Sequence, residues 1–415
     1  MARAAWQYRT GDGGWFASAR RQRRIMITPA GIYYLAVMLV VFGGAVIRQM
    51  NLLLVLGGMM AGPLLLSWPA AWRVLRRLSL RRRMPQRICA GDTLVVDVEL
   101  ANPRRRGSWA VAVEDRIVRL SDGPEEQEAD TPIRPTVFFT YVPGNGARQQ
   151  SYRGRLTRRG RYRLGPLQIE SRFPFGLVFH QLVQPQSDTL VVCPRLGRLT
   201  RQWMRRHREA FEGSQRQQQL LGSTEADFFG VREWRSGDSA RAIHWRTTAR
   251  HGTLVVRQYE QTRNRDVAVL VDLWQPATPR EDDLDNVELA VSFAATVVAD
   301  LCRRGGGNVV LASSGKRLRV TGGAASAALL HDAMYQLALA EGSDDDGLTD
   351  LLLRGAEAAS PGCEIVLISP RRIDLSDPFR FATLLADPVQ RALLRRVRVI
   401  TTAGDELDEY FEREE

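Results

Sequence analysis

The sequence predicts a membrane α-hairpin joined to an α+β multidomain body: an antiparallel β-sandwich, immunoglobulin-like in shape, then an α/β domain with a mainly parallel sheet. Three observations predict it. Two apolar runs without a charge lie near the start, at 31–47 and 51–68. From about 85 to 194, apolar residues recur with period two between turn residues. Beyond 265, apolar runs of strand length alternate with runs at helical spacing.

The hairpin comes first. At ~1.5 Å per residue the run GIYYLAVMLVVFGGAVI reaches roughly 26 Å, enough for a bilayer core. Arg48, Gln49 and Met50 alone separate it from NLLLVLGGMMAGPLLLSW, so the second run must return at once. Gly57, Gly58 and Pro63 would weaken a soluble helix but are tolerated in lipid. A cleaved signal peptide is disfavoured by the second span and by the lack of an A-x-A site. Arginines flank the pair, as RRQRR at 20–24 and as Arg73, Arg76, Arg77 and Arg81–Arg83, against a single Arg48 in the turn. The positive-inside rule then places both ends and the soluble domains in the cytoplasm. The flanking clusters are expected to lie against anionic headgroups, and the bilayer is thus the first partner.

Composition bounds the rest. The chain has 415 residues, 25% charged and 44% hydrophobic, which is globular rather than disordered. The formal charge of +12 is nearly all arginine and suits an anionic membrane surface or nucleic acid. Cys89, Cys193, Cys302 and Cys363 are far apart with no CxxC pair, and read as buried small hydrophobes in a reducing compartment.

In the β region, TLVVDVEL alternates Leu94, Val96, Val98 and Leu100 against Val95, Asp97 and Glu99. Further strands are expected at 108–115, 136–142, 159–171 and 188–194, with turns at 90–92, 102–103 and 143–146. Short strands at this spacing suggest the sandwich. The arginines of RGRLTRRGRYR (153–163) lack the interleaved aromatics of a base-stacking platform, so they read as a solvated or membrane-facing strand surface.

In the α/β region, strands are expected at 265–272, 308–313, 364–369 and 397–402, with helices at 283–306, 324–340 and 388–396 between them. Strands separated by helices imply right-handed crossovers and a sheet covered on both faces. Asp272 ends the first strand, at the edge where open α/β sheets bind ligands. The acidic stretches GSDDDG (342–347) and DELDEYFEREE (405–415) are expected to be mobile. The divisions are then a basic N-terminal segment (1–24), the hairpin (25–70), a basic linker (71–84), the β-sandwich (85–194), a connecting segment (195–264), the α/β domain (265–404) and the acidic tail (405–415).

The connecting segment contains GDSARAIHWRTTARHG (237–252), residues of the kinds active sites use. Asp238 is expected to cap a short helix in which Arg241, His244, Trp245 and Thr248 share one face, Arg241 stacking on Trp245. Gly252 would end that helix before a strand. An enzyme reading makes His244 a general base oriented by Asp238, with arginines holding an anion. No nucleophile elbow and no phosphate-cradling glycine loop accompanies it, so structure or partner docking is preferred to catalysis.

The run FFGVREWRSGDSARAIHWRTTARHGTLVVRQYEQ (228–261) resembles the signature of the bacterial domain-of-unknown-function 58 (DUF58) family. The matching positions are Gly230, Arg232, Gly237, Asp238, Arg241, Ile243, Trp245, Ala249, Arg250, Leu254, Val256 and Arg257, with His244 inside the motif. FPFGL at 173–177 resembles another element of that family. The resemblance implies a C-terminal domain similar to von Willebrand factor type A. Such domains carry an Asp-x-Ser-x-Ser metal site, but the matching residues are Asp272, Leu273, Trp274, Gln275 and Pro276. A magnesium ion would lose two hard oxygen ligands there, so no metal and no cofactor are expected.

The resemblance also implies a bacterial inner-membrane protein encoded beside MoxR-type AAA+ ATPases and sometimes transglutaminase-like membrane proteins. The expected function is a membrane-anchored cytoplasmic adaptor or scaffold that works with a MoxR-type ATPase in assembling or remodelling an envelope complex. The β domain would hold the α/β domain at a fixed standoff from the bilayer, and the signature would lock the two together. The alternatives are a hydrolase using the Asp238/His244 segment and a nucleic-acid-binding protein, the latter not expected because the juxtamembrane arginines explain much of the charge.

Overall fold

The computed structural model describes residues 8–10, 22–121, 128, 130–207, 228–236, 238, 240–259, 266–360, 363–404 and 406–413. Its contacts divide the chain into two units, Met1–Arg195 and Leu196–Glu415.

In the first unit the apolar runs form helices Pro29–Arg48 and Asn51–Leu75, each long and apolar enough to cross a membrane. The chain reverses at Gln49 in a left-handed conformation. Tyr34 donates its hydroxyl to the Met60 carbonyl at 2.8 Å and ties the helices together. Most outward side chains are apolar and exposed, among them Val40, Ile47, Leu52 and Met59.

The bases of these helices are built into the β body. Strand Gln22–Ile27 runs directly into the first helix and pairs antiparallel with Val178–Gln184. Between strand and helix, Thr28 accepts from the Gly31 N–H at 3.0 Å as an N-cap and donates its hydroxyl to the Gly176 carbonyl at 2.6 Å. Its own N–H reaches the Leu177 carbonyl at 3.1 Å. Gly31 must be glycine, since a Cβ there would collide with that same carbonyl. The FPFGL stretch is thus the seat of the first helix. At the other end, Val74, Leu75 and Leu78 enter a β core, and Arg104 donates to the Val74 carbonyl at 2.9 Å.

Three sheets make up the β body. One holds Ser79–Pro85, Thr93–Asn102 and Gly146–Arg155, with Tyr8–Thr10 at its edge. A second orders Arg87–Cys89, Asp188–Cys193, Gly160–Leu164 and Ile117–Leu120. The third orders Gln22–Ile27, Val178–Gln184, Leu167–Ser171, Ser108–Glu114 and Thr136–Val142. Thr93–Asn102 alternates as expected, and its two halves serve two cores. Leu94 and Val96 pack with Ile117, Leu164 and Leu190, while Val98 and Leu100 pack with Val111, Phe139 and Ile169.

A buried polar network joins this region. Arg82 is 8% exposed and donates from one nitrogen to both oxygens of Asp115 at 2.8 Å. Its other nitrogens reach Asp188 at 3.0 and 2.6 Å and the Leu164 carbonyl at 2.9 Å. Tyr152 donates to Asp115 at 2.6 Å, and burial together with that carboxylate raises its pKa. This corrects the expectation that Arg81–Arg83 all face headgroups: Arg82 is a core residue because two carboxylates and a carbonyl are there to receive it. In the 153–163 stretch, Arg158 and Arg163 pair with Asp130 and Glu128 on the solvent side, at 3.3 and 3.1 Å. Cys89 and Cys193, distant in sequence, face each other across paired parallel strands, and burial pushes the Cys89 thiol up to about 12. Cys89 and Cys302 are only partly buried, against expectation.

The second unit holds a five-stranded sheet in the order Arg319–Ala324, Asn308–Ser313, Val267–Val271, Glu364–Ser369, Val397–Thr401. The last four strands are mutually parallel and the first is an antiparallel edge, which the sequence reading omits. Every residue of Val267–Val271 is buried, as a strand covered on both faces requires. Helix Glu281–Arg304 packs on the central strands beside Ala327–Ala338. Helix Leu348–Ala358, also unforeseen, packs Leu351 and Leu352 against Leu270 and Leu367. Neither acidic stretch is loose. Ser343 exchanges backbone hydrogen bonds with Leu273 and Gln275. In the tail Leu407, Tyr410 and Phe411 are buried, and Phe411–Glu412 pairs with Arg198–Leu199.

Candidate functional site

The signature folds as a small hairpin. Strand Phe228–Glu233 pairs antiparallel with Val255–Tyr259, and Gly230 sits at an irregularity in the register. Arg232 grips Asp238 in a two-pronged ion pair, with 2.7 Å at each oxygen. Asp238 also accepts the Arg235 N–H at 2.8 Å. The Arg232 bonds, followed by that backbone bond, hold its carboxyl at about 2, well below the ordinary carboxylate range.

Past Asp238 the chain makes a 3-10 turn at Ala240–Ala242, which carries the backbone of Arg241. Ile243 bridges to Val256, and the two are buried beside Val255. The α-helix begins only at Trp245 and runs to His251. Its N-cap is His244: Nδ1 accepts from the Thr247 N–H at 3.3 Å and lies 2.7 Å from the Thr247 hydroxyl. The His244 N–H donates to the Val255 carbonyl at 2.8 Å. Gly252 ends the helix at φ 72°, as expected, with its N–H on the Thr248 carbonyl.

Two expectations are corrected. Asp238 does not cap the helix, because its oxygens serve Arg232 and Arg235. Arg241, His244, Trp245 and Thr248 do not form one helical face, because the helix starts four residues after Arg241. Trp245 is 67% exposed, so it is a surface residue, and Ala249, Arg250 and Leu254 are exposed with it. Gly237 and the side chains of Arg241 and Arg257 lie outside the described residues, and so does the stacking expected of Arg241 on Trp245.

The second arrangement lies at the carboxyl edge of the parallel sheet. Asp272 is 1% exposed. It accepts from the Ser314 hydroxyl at 3.2 Å, the Ser369 hydroxyl at 3.0 Å and Arg371 Nε at 3.1 Å. The two hydroxyls missing from 272–276 are therefore supplied by residues at the ends of the two neighbouring strands. The residues do not fit a divalent cation, however, because the Arg371 guanidinium already supplies the positive charge at the carboxylate. Arg371 also lies over the Trp274 ring, 4.7 Å from its centre. Sequence reasoning placed Asp272 but missed Ser314, Ser369 and Arg371. A signal was present, since EIVLIS ends in Ser369 and Ser314 directly follows NVVLAS at the same sheet edge.

Residues 230–352 match the family described as "Protein of unknown function DUF58". The chain is similar to the "Uncharacterized protein YeaD" of Bacillus subtilis (strain 168), with 26% identity over 248 residues. That match covers 59% of this chain and 58% of the relative, less than two thirds of its length. Among solved structures, the CARDB domain of a Pyrococcus furiosus protein is similar at a TM-score of 0.19 and 11% identity, covering 28% of this chain and 93% of that one. A β-glucosidase from Listeria innocua is similar at 0.19 and 10%, covering 28% and 16%. At these scores neither a fold nor an activity is transferred. The signature hairpin and the strands that follow it carry the family match, and through them the chain belongs to the DUF58 family, whose function is unknown.

Proposed function

We propose that the protein is a membrane-anchored, non-enzymatic adaptor that offers a docking surface to a MoxR-type AAA+ ATPase acting on an envelope complex. The observation that carries the anchor is the continuity of the helix pair with the β body. Thr28 seats the first helix on the Gly176 and Leu177 carbonyls, and Val74 and Leu75 end the second inside a β core. A loose tether needs neither contact. Lipid would cover the exposed apolar side chains of both helices. In this reading Gln49 faces outward across a bacterial inner membrane, and both termini and the soluble units are cytoplasmic. The reading also relates the β body to immunoglobulin-like sandwiches and the second unit to von Willebrand factor type A domains. The parallel sheet with its single antiparallel edge strand supports the second relation.

The docking surface is the signature hairpin. Val231, Trp234, Trp245 and Leu254 are large apolar side chains left exposed there. A transglutaminase-like membrane protein is a further candidate partner. A hydrolase would want Asp238 free to orient His244, whereas both its oxygens are taken by Arg232. The test is affinity purification of the full-length protein from gently solubilised membranes, beside Trp245→Ala. A MoxR-type ATPase should co-purify with the native chain and be lost with the variant while the melting temperature is unchanged. Equal recovery would place docking elsewhere, and no ATPase with the native chain would contradict the adaptor reading.

A further inference from the structure

The five-stranded sheet of the β body has two unlike ends. One is polar, with Glu114 lying between Gln168 and Thr136. At the other, Ile27 lies opposite Val178, Ser171 opposite Val111, and Trp109 opposite Tyr141. Both apolar helices meet the sheet at this second end. The first begins at Pro29, just past Ile27, and Thr28 is bonded to the Gly176 and Leu177 carbonyls. The second ends beside Trp109, since the Ser108 hydroxyl donates to the Val74 carbonyl at 3.2 Å.

This end exposes large apolar side chains. Phe175, in the loop between Leu167–Ser171 and Val178–Gln184, is 54% exposed, while Phe173 packs on the β core. Trp109 and Tyr141 are both exposed, with ring centres 4.4 Å apart. On the edge strand, Ile25, Met26 and Ile27 are exposed in succession. Successive strand residues point to opposite faces, so this edge is apolar on both. A protein set against one face would leave the other in water, whereas a bilayer surrounds the edge. The apolar surface also runs on without a polar border into Ile32 and Tyr33, exposed on the first helix. The Trp68 ring of the second helix lies 6.4 Å from the ring of His180, which is opposite Ile25 in the register. Tryptophan and tyrosine favour the headgroup level of a membrane, which suits Trp68, Trp109 and Tyr141 alike.

Charge agrees. Segments 24–31, 102–112, 138–148 and 171–180, which build this end, hold six arginines and no aspartate or glutamate. Arg24, Arg105, Arg106 and Arg172 among them are exposed. Glu170 lies close enough to feel Arg172, but burial pushes its carboxyl up. Elsewhere on the same body arginines meet carboxylates, as Arg116 and Arg163 meet Glu128. An excess of positive charge beside exposed aromatic rings fits anionic lipid headgroups.

We infer that this end of the β body is itself a lipid-contact surface. Phe175, Trp109, Tyr141 and residues 25–27 enter the headgroup layer of the membrane that the helices cross, and Arg24, Arg105, Arg106 and Arg172 meet its phosphates. The inference rests on the membrane-spanning reading of the helix pair and extends the contact from the helices to the β body. The FPFGL stretch then has two tasks, seating the first helix and holding Phe175 at the lipid.

The experiment uses the full-length protein with its native cysteines replaced, in vesicles of phosphatidylcholine and phosphatidylglycerol in equal parts. Bimane is attached to Phe175→Cys, Trp109→Cys, Thr136→Cys or Val40→Cys, and quenching by a lipid with a nitroxide high on its acyl chain is read. Thr136 is exposed at the polar end, and Val40 lies within the first helix. Phe175→Cys and Trp109→Cys should be quenched at least about twofold more than Thr136→Cys. Adding Arg105→Glu and Arg106→Glu should lower the quenching at Trp109→Cys, and no change would overturn the role given to these arginines. If positions 175 and 109 are quenched no more than 136 while 40 is quenched, the inference falls and the anchor stands. An unquenched position 40 is a failure of the anchor reading, and the inference falls with it. A second measurement uses the native chain. A phosphatidylcholine with a diazirine beside its headgroup should cross-link to peptides containing residues 109 and 175 but not 136. The absence of both cross-links would also overturn the inference.

Discussion

Arg82 and Arg232 show how the same side chain takes different work from its surroundings. Arg232 holds Asp238 at the surface, and the folded carboxyl sits at about 2 against an ordinary value of 3.8. A depressed carboxyl stabilises the fold above its ordinary pKa and loses that effect as pH falls through its folded one. The signature loop should therefore stay closed at neutral pH and open between about pH 4 and pH 2. Hydrogen exchange at the Arg235 amide followed through that range checks this, and Asp238→Asn should remove the pH dependence. Arg82 is the buried case. Arg82→Met leaves Asp115 charged and 1% exposed with its cation gone, which should cost about 3–5 kcal/mol in denaturant unfolding. Tyr152→Phe removes one hydrogen bond to the same carboxylate and should cost less, about 1–3 kcal/mol.

At the scale of elements, the base of the first helix is where local sequence and tertiary contact meet. Thr28→Ala removes an N-cap and a bond to the Gly176 carbonyl together, and should lower stability by about 1–2 kcal/mol. Thr28→Ser, which keeps the hydroxyl, should restore most of it; thermal melts in detergent distinguish the two. Elements with a strong period were legible in the sequence: both apolar helices, the alternating Thr93–Asn102 and the parallel strands of the second unit. Elements without one were not. Gly146–Arg155 is exposed along most of its length and shows no apolar face, so nothing in its composition announces a strand. Leu348–Ala358 was hidden behind an acidic stretch read as a mobile linker, although Leu348, Leu351 and Leu352 are spaced for one helical face. The signature's residues were legible as a motif, but not their partners. That Asp238 serves Arg232 rather than the helix depends on a tight turn after the strand, where the Asp238 N–H returns to the Arg235 carbonyl. Arg371, on the Asp272 carboxylate, follows a strand about a hundred residues away, and only the sheet order brings it there.

For the whole molecule, we propose that the helix pair spans a bilayer and is continuous with the β body on one side of it. By the positive-inside rule the flanking arginines would set the side, and the contacts at the helix bases would hold the β body to the anchor. The signature hairpin, which we propose as a docking surface, would then belong to a chain held at the membrane rather than one that diffuses freely. The most direct test is site-directed thiol labelling in intact cells, with Cys89, Cys193, Cys302 and Cys363 first replaced by serine or alanine. A cysteine at Gln49 should react with a membrane-impermeant maleimide, while one at Arg317, an exposed position of the second unit, should react only after permeabilisation. Labelling at Arg317 in intact cells, or at neither position until the cells are opened, would contradict the account.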